Sequence, residues 1–382
     1  MIQYGHQYID DNDIQAVIDV LKSDFLTQGP AVSRFENKIR EITGARYCVA
    51  VSNATAGLHI AVAALNLSEN SEGITSPNTF LASANCLVYN NLIPVFADIN
   101  PDTYNIEPDE IEKKITSNTE VIIPVHFAGL ACDMGRIKNI ADDHNIKVIE
   151  DAAHAIGSRY ADGTPVGNCT YSDMTVFSFH PVKTITTGEG GAITTNDESL
   201  YKRLLELRSH GMTKDTELLT QNPGPWYYEM HSLGFNYRMT DIQAALGYSQ
   251  LLKLQQFRER RQSIVNRYNK AFDGIPYVKL PYRTFEQVSC FHLYVLQIDF
   301  EKLGTVRKEF MKKLTDKGIG TQVHYIPVHT QPYYKTHYGY KIGDYPIAER
   351  YYQKALSLPL YPAMSDDDVQ KVIDAVKELV QQ

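Results

Sequence analysis

The stretch that decides the fold is MTVFSFHPVKTITTGEGGAITT, residues 174–195. Two short β-rich runs, Met174–Ser178 and Ala192–Thr195, are joined here by a glycine-rich return that carries Lys183. The return matches neither the phosphate-loop pattern of a Walker motif nor the spacing of a dinucleotide fingerprint. We therefore predict two strands, with a lysine held in the connection between them.

Similar apolar runs recur through the first two-thirds of the chain. Further candidate strands are Tyr47–Val51, Ile93–Ala97, Val121–Val125 and Lys147–Glu150. Helical patterns lie between them, and one of these, Ala54–Leu65, places apolar residues on a single helical face. Strands that alternate with helices predict an α/β fold with a largely parallel, helix-covered sheet. In such sheets ligands bind beyond the C-terminal ends of the strands.

A second domain is predicted at the C-terminus. Residues 240–272 read as one long helix that leads from the sheet domain into a smaller α+β domain. We place the boundary near residue 255, so that residues 1–255 form the large domain and residues 256–382 the small one. The last helix is predicted to start at Ser365, which forms a capping-box pattern with Asp368.

Composition excludes several classes of protein. The chain has 382 residues and a formal net charge of -8, which argues against nucleic acid as the main partner because phosphate binding needs a basic face. No uncharged run is apolar enough to cross a membrane, and the N-terminus has no signal-peptide core. The five cysteines are scattered, so we expect reduced thiols, no metal site and a cytoplasmic location.

Residues 52–57, SNATAG, follow the first predicted strand and open a helix. Small residues there would let a phosphate approach free backbone N–H groups at a helix N-terminus, with the Thr55 hydroxyl as an added donor. A plain helix cap explains the same pattern.

Residues 150–154, EDAAH, end another predicted strand. The carboxylate of Asp151 could keep a cofactor ring nitrogen protonated, although a capping aspartate beside a core histidine, His154, is an equal alternative. Lys183 could form a Schiff base if it were desolvated, whereas most lysines are surface charges. A fourth motif, residues 234–241, reads as a loop before a helix capped by Thr240 or Asp241.

In this order, the four motifs resemble the sugar aminotransferases of the DegT/StrS group, which have the aspartate-aminotransferase fold, type I. The resemblance runs from about Tyr4 to the C-terminal helix. It is carried by EDAAHAIG, SFHPVKTITTGEGGA and GFNYRMTDIQAALG, at residues 150–157, 178–192 and 234–247. The residues of the last two motifs, together with RSHGM at 208–212 and GPWYYE at 224–229, are most similar to those of family members that act in pseudaminic acid biosynthesis.

The resemblance implies pyridoxal 5'-phosphate as the cofactor, with pyridoxamine 5'-phosphate as its aminated form. Lys183 would attach the cofactor, Asp151 would pair with its ring nitrogen, and His154 would lie near its ring hydroxyl. The remaining cofactor contacts would be Ala54, Thr55 and Ser178 at the phosphate, Phe80 on the ring, and Asn236 from the partner subunit of a homodimer. The sugar-nucleotide pocket would include Tyr4, Asp24, Phe25, Leu26, Thr27, Ala54, Ser178, Asn236, Gln322, Val323, His324 and Tyr325.

The implied reaction moves an amino group from glutamate to C4 of a UDP-linked 4-keto-6-deoxy-N-acetyl-hexose. Arg238 is a candidate for binding the donor carboxylate. Other keto-sugar aminotransferases share the same motifs, so the sugar stays open. Related dehydratases replace the lysine by histidine, and a non-catalytic relative would be expected to lose Lys183, Asp151 or Ser178; all three are present.

Overall fold

The computed structural model describes residues 1–282 and 288–381. Its centre is a seven-stranded sheet in the order β1-β7-β6-β5-β4-β2-β3. Strand β7 runs antiparallel to both its neighbours, and the other pairs are parallel. The strands are β1 (Tyr47–Val51), β2 (Glu72–Thr75), β3 (Ile93–Phe96), β4 (Thr119–Ile123), β5 (Lys147–Asp151), β6 (Met174–Ser178) and β7 (Gly191–Thr195). The predicted α/β class with a mostly parallel sheet is confirmed.

Two smaller sheets follow along the chain. Strands β8 (Met212–Thr213) and β9 (Glu229–Met230) form a hairpin, and an antiparallel sheet has the order β10-β11-β12. Its strands are β10 (Val278–Lys279), β11 (Tyr294–Ile298) and β12 (Ala355–Leu358). This sheet packs its apolar side chains with those of two long helices around a core of its own, separate from the cores on the large sheet.

The helices cover the sheets. They are α1 (Asp11–Leu21), α2 (Pro30–Thr43), α3 (Ala54–Ala64), α4 (Ala82–Tyr89), α5 (Pro108–Glu112), α6 (Met134–His144), α7 (Glu198–Arg208), α8 (Asp241–Leu252), α9 (Leu254–Phe272), α10 (Arg307–Asp316), α11 (Pro332–Tyr338), α12 (Pro346–Lys354) and α13 (Asp366–Val380). Within the described residues, none of them is long and apolar enough to span a membrane.

Local sequence explains most of these elements. β1 and β6 have the predicted bounds, and α13 starts with the predicted capping box between Ser365 and Asp368. Strand β2 was not predicted because it is short and starts with Glu72 and Gly73, which are both poor strand formers. Its strand conformation comes from parallel pairing with β3 and β4 on either side.

The prediction of one helix over residues 240–272 is wrong. The chain leaves helical geometry at Lys253 (φ -100°, ψ 1°), between α8 and α9. The Lys253 ammonium lies 2.8 Å from the Asp10 carboxylate and 2.6 Å from that of Asp13, so ion pairs to the N-terminal segment accompany the break. A domain boundary near residue 255 remains our proposal.

One buried carboxylate ties the large sheet to α12. Asp98, which follows β3, accepts hydrogen bonds from the backbone N–H groups of Ile347 and Ala348, both at 2.9 Å. These N–H groups lie in the first turn of α12, where no intrahelical acceptor exists.

Candidate active site

A cavity of about 730 Å³ lies at the edge of the sheet where β1, β5 and β6 end. This is the position that the parallel topology predicts for a ligand site. Among the predicted site residues, those that line it are Tyr4, Ala54, Thr55, Phe80, Asp151, His154, Ser178, Lys183, Gln322, Val323, His324 and Tyr325. The cavity therefore brings together residues from both ends of the chain.

Lys183 lies in the connection from β6 to β7, and its backbone N–H donates to the His180 carbonyl at 2.9 Å. The side chain is half-buried, and its ammonium makes no hydrogen bond or ion pair with any described residue. Burial lowers the pKa of Lys183 to about 8, against the opposing effect of the Asp151 carboxylate. An unpaired amine with a lowered pKa is well suited to act as a nucleophile.

Asp151 is the last residue of β5 and is 5% exposed. Its carboxylate accepts a hydrogen bond from the Ser83 hydroxyl at 2.6 Å and another from the Ala153 N–H at 3.0 Å. Both donors are neutral groups, and the carboxylate also lines the cavity. The Ser83 hydroxyl in turn lies 2.7 Å from that of Thr79.

The turn from β1 into α3 leaves hydrogen-bond donors unused. Asn53 caps α3 by accepting from the Ala56 N–H at 2.9 Å, so the plain-cap interpretation is correct for this side chain. The N–H groups of Ala54 and Thr55 have no partner among the described residues, and neither has the hydroxyl of Ser178. All three residues line the cavity, which gives it a cradle for an anion.

Gly191 makes this cradle possible. It starts β7 and pairs with Val51 on one side and Ser178 on the other. A Cβ at this position would lie 2.8 Å from the backbone nitrogen of Ala54, which is too close for any side chain. The glycine thus lets the start of α3 approach the sheet directly.

His154 has a defined tautomer. Its Nδ1 accepts a hydrogen bond from the Ala128 N–H at 3.3 Å, and its Nε2 lies 3.0 Å from the Tyr325 hydroxyl oxygen. With Nδ1 used as an acceptor, the hydrogen is on Nε2 and is donated to Tyr325. Burial, with the nearby Lys183 and His324, holds the pKa of His154 well below its usual value, so the ring is neutral. The Tyr325 hydroxyl proton is then free to be donated elsewhere.

An unpaired amine, an ionised buried carboxylate and an anion cradle in one cavity fit a phosphorylated aldehyde cofactor with a basic ring. Residues 7–377 match the DegT/DnrJ/EryC1/StrS aminotransferase family. The chain belongs to this family. It is a pyridoxal-phosphate-dependent sugar aminotransferase, which acts on a nucleotide-linked keto-sugar with an amino donor, and the predicted cofactor is confirmed.

Similar proteins agree with this assignment. The spore coat polysaccharide biosynthesis protein SpsC of Bacillus subtilis is 43% identical over 380 residues, covering 99% of this chain and 97% of SpsC. The Helicobacter pylori structure of PseC, an aminotransferase involved in the biosynthesis of pseudoaminic acid, superposes with a TM-score of 0.92 at 31% identity, covering 100% and 99% of the two chains. A putative sugar aminotransferase of Streptococcus pneumoniae, Spr1654, gives 0.91 at 32% identity, with coverage of 100% and 99%.

Two predicted parts of the site lie outside the cavity of this chain. Residues 24–27 are exposed, with Phe25 53% and Leu26 48% accessible. Asn236 is also exposed, and its backbone pairs with that of Ser209 in an isolated antiparallel β-bridge. Their roles stay predictions, since Asn236 is expected to act on the partner subunit.

Ser83, His292 and Glu189 are among the residues of the site that were not predicted. Ser83 holds Asp151 from α4, and His292 lines the cavity with its ring centroid 4.3 Å from that of His154. The Nδ1 of His292 is buried without a partner among the described residues. Glu189 also lines the cavity, and it lies in the glycine-rich connection between β6 and β7.

Proposed function

We propose that the protein transfers an amino group from glutamate to C4 of a UDP-linked 4-keto-6-deoxy-N-acetyl-hexose, the type of sugar used in pseudaminic acid biosynthesis. The observation that carries the proposal is the unpaired Lys183 amine, which lines one cavity with Asp151 and the unused donors of the cradle. Two observations support this choice of sugar substrate. One is the residue sequence of the motifs at 178–192 and 234–247, and the other is the similarity to PseC along its whole length.

Lys183 is the proposed acid–base residue. Bound pyridoxal phosphate supplies an aldehyde that carries the amino group and a ring that delocalises charge from the reacting carbon. Lys183 would hold the cofactor, and its free amine would take the proton from the donor's α-carbon and keep it for return to the reacting centre. The same amine moves the proton in the opposite direction when the keto-sugar is aminated.

The other residues of the cavity hold the cofactor. We assign the ring nitrogen to Asp151 and the phosphate to the N–H groups of Ala54 and Thr55 with the Ser178 hydroxyl. His154 is neutral and buried, which suits contact with the ring near its hydroxyl group. Phe80 is 58% exposed at the cavity and is free to cover the ring from the other side.

The sugar-nucleotide would bind at the outer wall of the cavity. Tyr4 and His324 meet there with ring centroids 5.6 Å apart, and Gln322 and Val323 continue the wall. The cavity volume is within the range of small-molecule sites. Tyr325 contributes a hydroxyl donor that His154 orients.

A charge imbalance supports the proposed homodimer. Among the described residues that line the cavity, Lys183 is the one lysine or arginine, while Asp151 and Glu189 are both acidic. The amino donor, the cofactor phosphate and a nucleotide diphosphate are all anions, so further donors and cations must come from elsewhere. A second subunit would supply Asn236, residues 24–27 and a cation such as Arg238. Exposed apolar residues such as Trp226, 69% accessible, are available for the contact.

Two alternatives differ from this proposal. SpsC is named for spore coat polysaccharide biosynthesis, so a different nucleotide-linked keto-sugar is the first of them. The second is a sugar dehydratase, which would remove oxygen from the substrate instead of adding nitrogen. Retention of Lys183 argues against it.

The test is incubation of the purified holoenzyme with glutamate and a panel of UDP-linked 4-keto sugars, followed by mass spectrometry. We expect a UDP-amino-sugar from the 4-keto-6-deoxy-N-acetyl-hexose, and no product with the Lys183→Ala variant, which should remain folded. Exposed Lys335→Ala is the matched control and should keep wild-type turnover. Amination of another sugar alone would overturn the substrate assignment, and wild-type turnover by Lys183→Ala would overturn the mechanism.

A further inference from the structure

Glu150, the neighbour of Asp151 in β5, carries a second buried carboxylate. The residue is 0% exposed, and successive strand residues face opposite sides, so Glu150 lies on the far side of the sheet from the cavity. The Tyr160 hydroxyl lies 2.9 and 2.7 Å from its two carboxylate oxygens. The Ser172 and Thr175 hydroxyls donate to Oε1 at 2.5 and 2.9 Å.

His126 completes this set of donors. Its Nδ1 accepts from the Cys132 N–H at 3.1 Å, so the hydrogen is on Nε2, which donates to Oε2 of Glu150 at 2.6 Å. The ring is therefore neutral. The backbone N–H of the same residue donates to the Asp151 carbonyl at 3.1 Å, which links the network to the end of β5.

Glu150 is therefore an ionised group without a compensating cation in the part of the chain that the structure describes. Five contacts from four donor side chains reach its two oxygens, and a protonated carboxyl could not accept all of them. The other titratable groups near it are the thiols of Cys132 and Cys169, which are neutral because burial raises their pKa.

The end of β5 thus carries two adjacent negative charges, both held by neutral donors. We propose that Glu150 acts with Asp151 to keep the cofactor ring nitrogen protonated, as a positioning residue that acts through the electrostatic field without touching the cofactor. This inference rests on the proposed pairing of Asp151 with that nitrogen. A carboxylate about 10 Å from a protonated nitrogen, in a medium of effective dielectric constant near 20, raises the pKa of that nitrogen by roughly one unit. An effect of this size is expected from Glu150.

A purely structural role is the alternative, because removing a buried charge or its partners commonly destabilises a protein. The two roles differ in what they predict for the cofactor. A structural role lowers the melting temperature, whereas the electrostatic role also changes the protonation of the ring in protein that is still folded.

The experiment is nitrogen-15 NMR of holoenzyme loaded with pyridoxal phosphate labelled at the ring nitrogen, recorded from pH 6 to 10. Three variants are compared with wild type. Glu150→Gln removes the second charge and Asp151→Asn removes the first. Asp98→Asn is the matched control, since it removes a buried carboxylate that is also held by neutral N–H donors but does not line the cavity.

We expect deprotonation of the ring nitrogen about one pH unit lower in Glu150→Gln, a larger change in Asp151→Asn, and none in Asp98→Asn. A folded Glu150→Gln holoenzyme that titrates like wild type overturns the inference. If Asp151→Asn also leaves the nitrogen unchanged, the proposed cofactor placement is what fails. Should Glu150→Gln not fold, Glu150→Met serves instead, because it also removes the charge at every pH with a side chain of similar length and should produce the same change.

Discussion

The hydroxyl of Ser83 donates a 2.6 Å hydrogen bond to the carboxylate of Asp151, across 68 residues of sequence. It joins the second residue of α4 to the end of β5, and both groups are buried. The carboxylate is therefore fixed before any cofactor arrives.

We expect Ser83→Ala to weaken cofactor binding by roughly ten- to a hundredfold, because a hydrogen bond to a charged group contributes about 1.5–3 kcal/mol. The dissociation constant of pyridoxal phosphate, measured by fluorescence titration of the apoenzyme, checks this. Ser199→Ala is the control, since it removes a Ser–Asp hydrogen bond of the same 2.6 Å length on the exposed start of α7. Equal affinities in both variants would contradict the assigned role of Ser83.

The lowered pKa of Lys183 predicts a pH dependence. In the apoenzyme the neutral, reactive amine forms as pH rises through about 8, whereas an ordinary lysine needs about 10.4. Acylation of Lys183 by a limiting reagent, followed by peptide mass spectrometry, should show this midpoint, and labelling of the exposed Lys335 in the same sample checks that the reagent is active. Asp151→Asn should move the midpoint to lower pH, because the carboxylate raises the pKa of Lys183. A Lys183 midpoint near about 10.4, the value of a free lysine, would show that the amine is solvated.

Gly191→Ala should displace the start of α3. Its Cβ would meet the backbone of Asn53 and Ala54 at 2.8 Å, and backbone cannot move aside as a side chain can. Overpacking of this kind costs about 1–3 kcal/mol, so we expect a lower melting temperature and a loss of affinity for the cofactor and for free phosphate. In Gly135→Ala, where the nearest atom is 3.8 Å away, the melting temperature should not fall and the affinities should not change.

Tyr325→Phe tests the orientation of its hydroxyl by His154. Removal of this donor should lower kcat/KM for the keto-sugar by about tenfold or more, with the glutamate half-reaction less affected. Half-reactions followed separately by the cofactor absorbance would measure both effects. Tyr340→Phe removes a hydroxyl that donates to the Pro94 carbonyl and should leave both half-reactions intact. Equal losses in the two half-reactions would place Tyr325 at the cofactor instead of the sugar.

Local patterns predicted the parts of the site that follow strands directly. Asp151, Ser178 and Lys183 each stand at or just after a strand end, and parallel topology brings such positions to one edge. Ser83 and His292 had no comparable signal, because α4 and the segment before β11 reach the cavity through tertiary packing. The break at Lys253 was missed for a similar reason, since its ion pairs join residues about 240 positions apart.

The antiparallel direction of β7 determines how closely the Lys183 amine is held to the cavity. Because β7 is antiparallel to β6, it starts at the edge of the sheet where β6 ends, and residues 179–190 alone connect the two strands. A parallel strand would start at the opposite edge and would need a longer crossover connection. Lys183 is thus tethered at both ends of a short loop. If Lys183 holds the cofactor as proposed, its released amine would stay in the cavity at a high effective concentration for the next turnover.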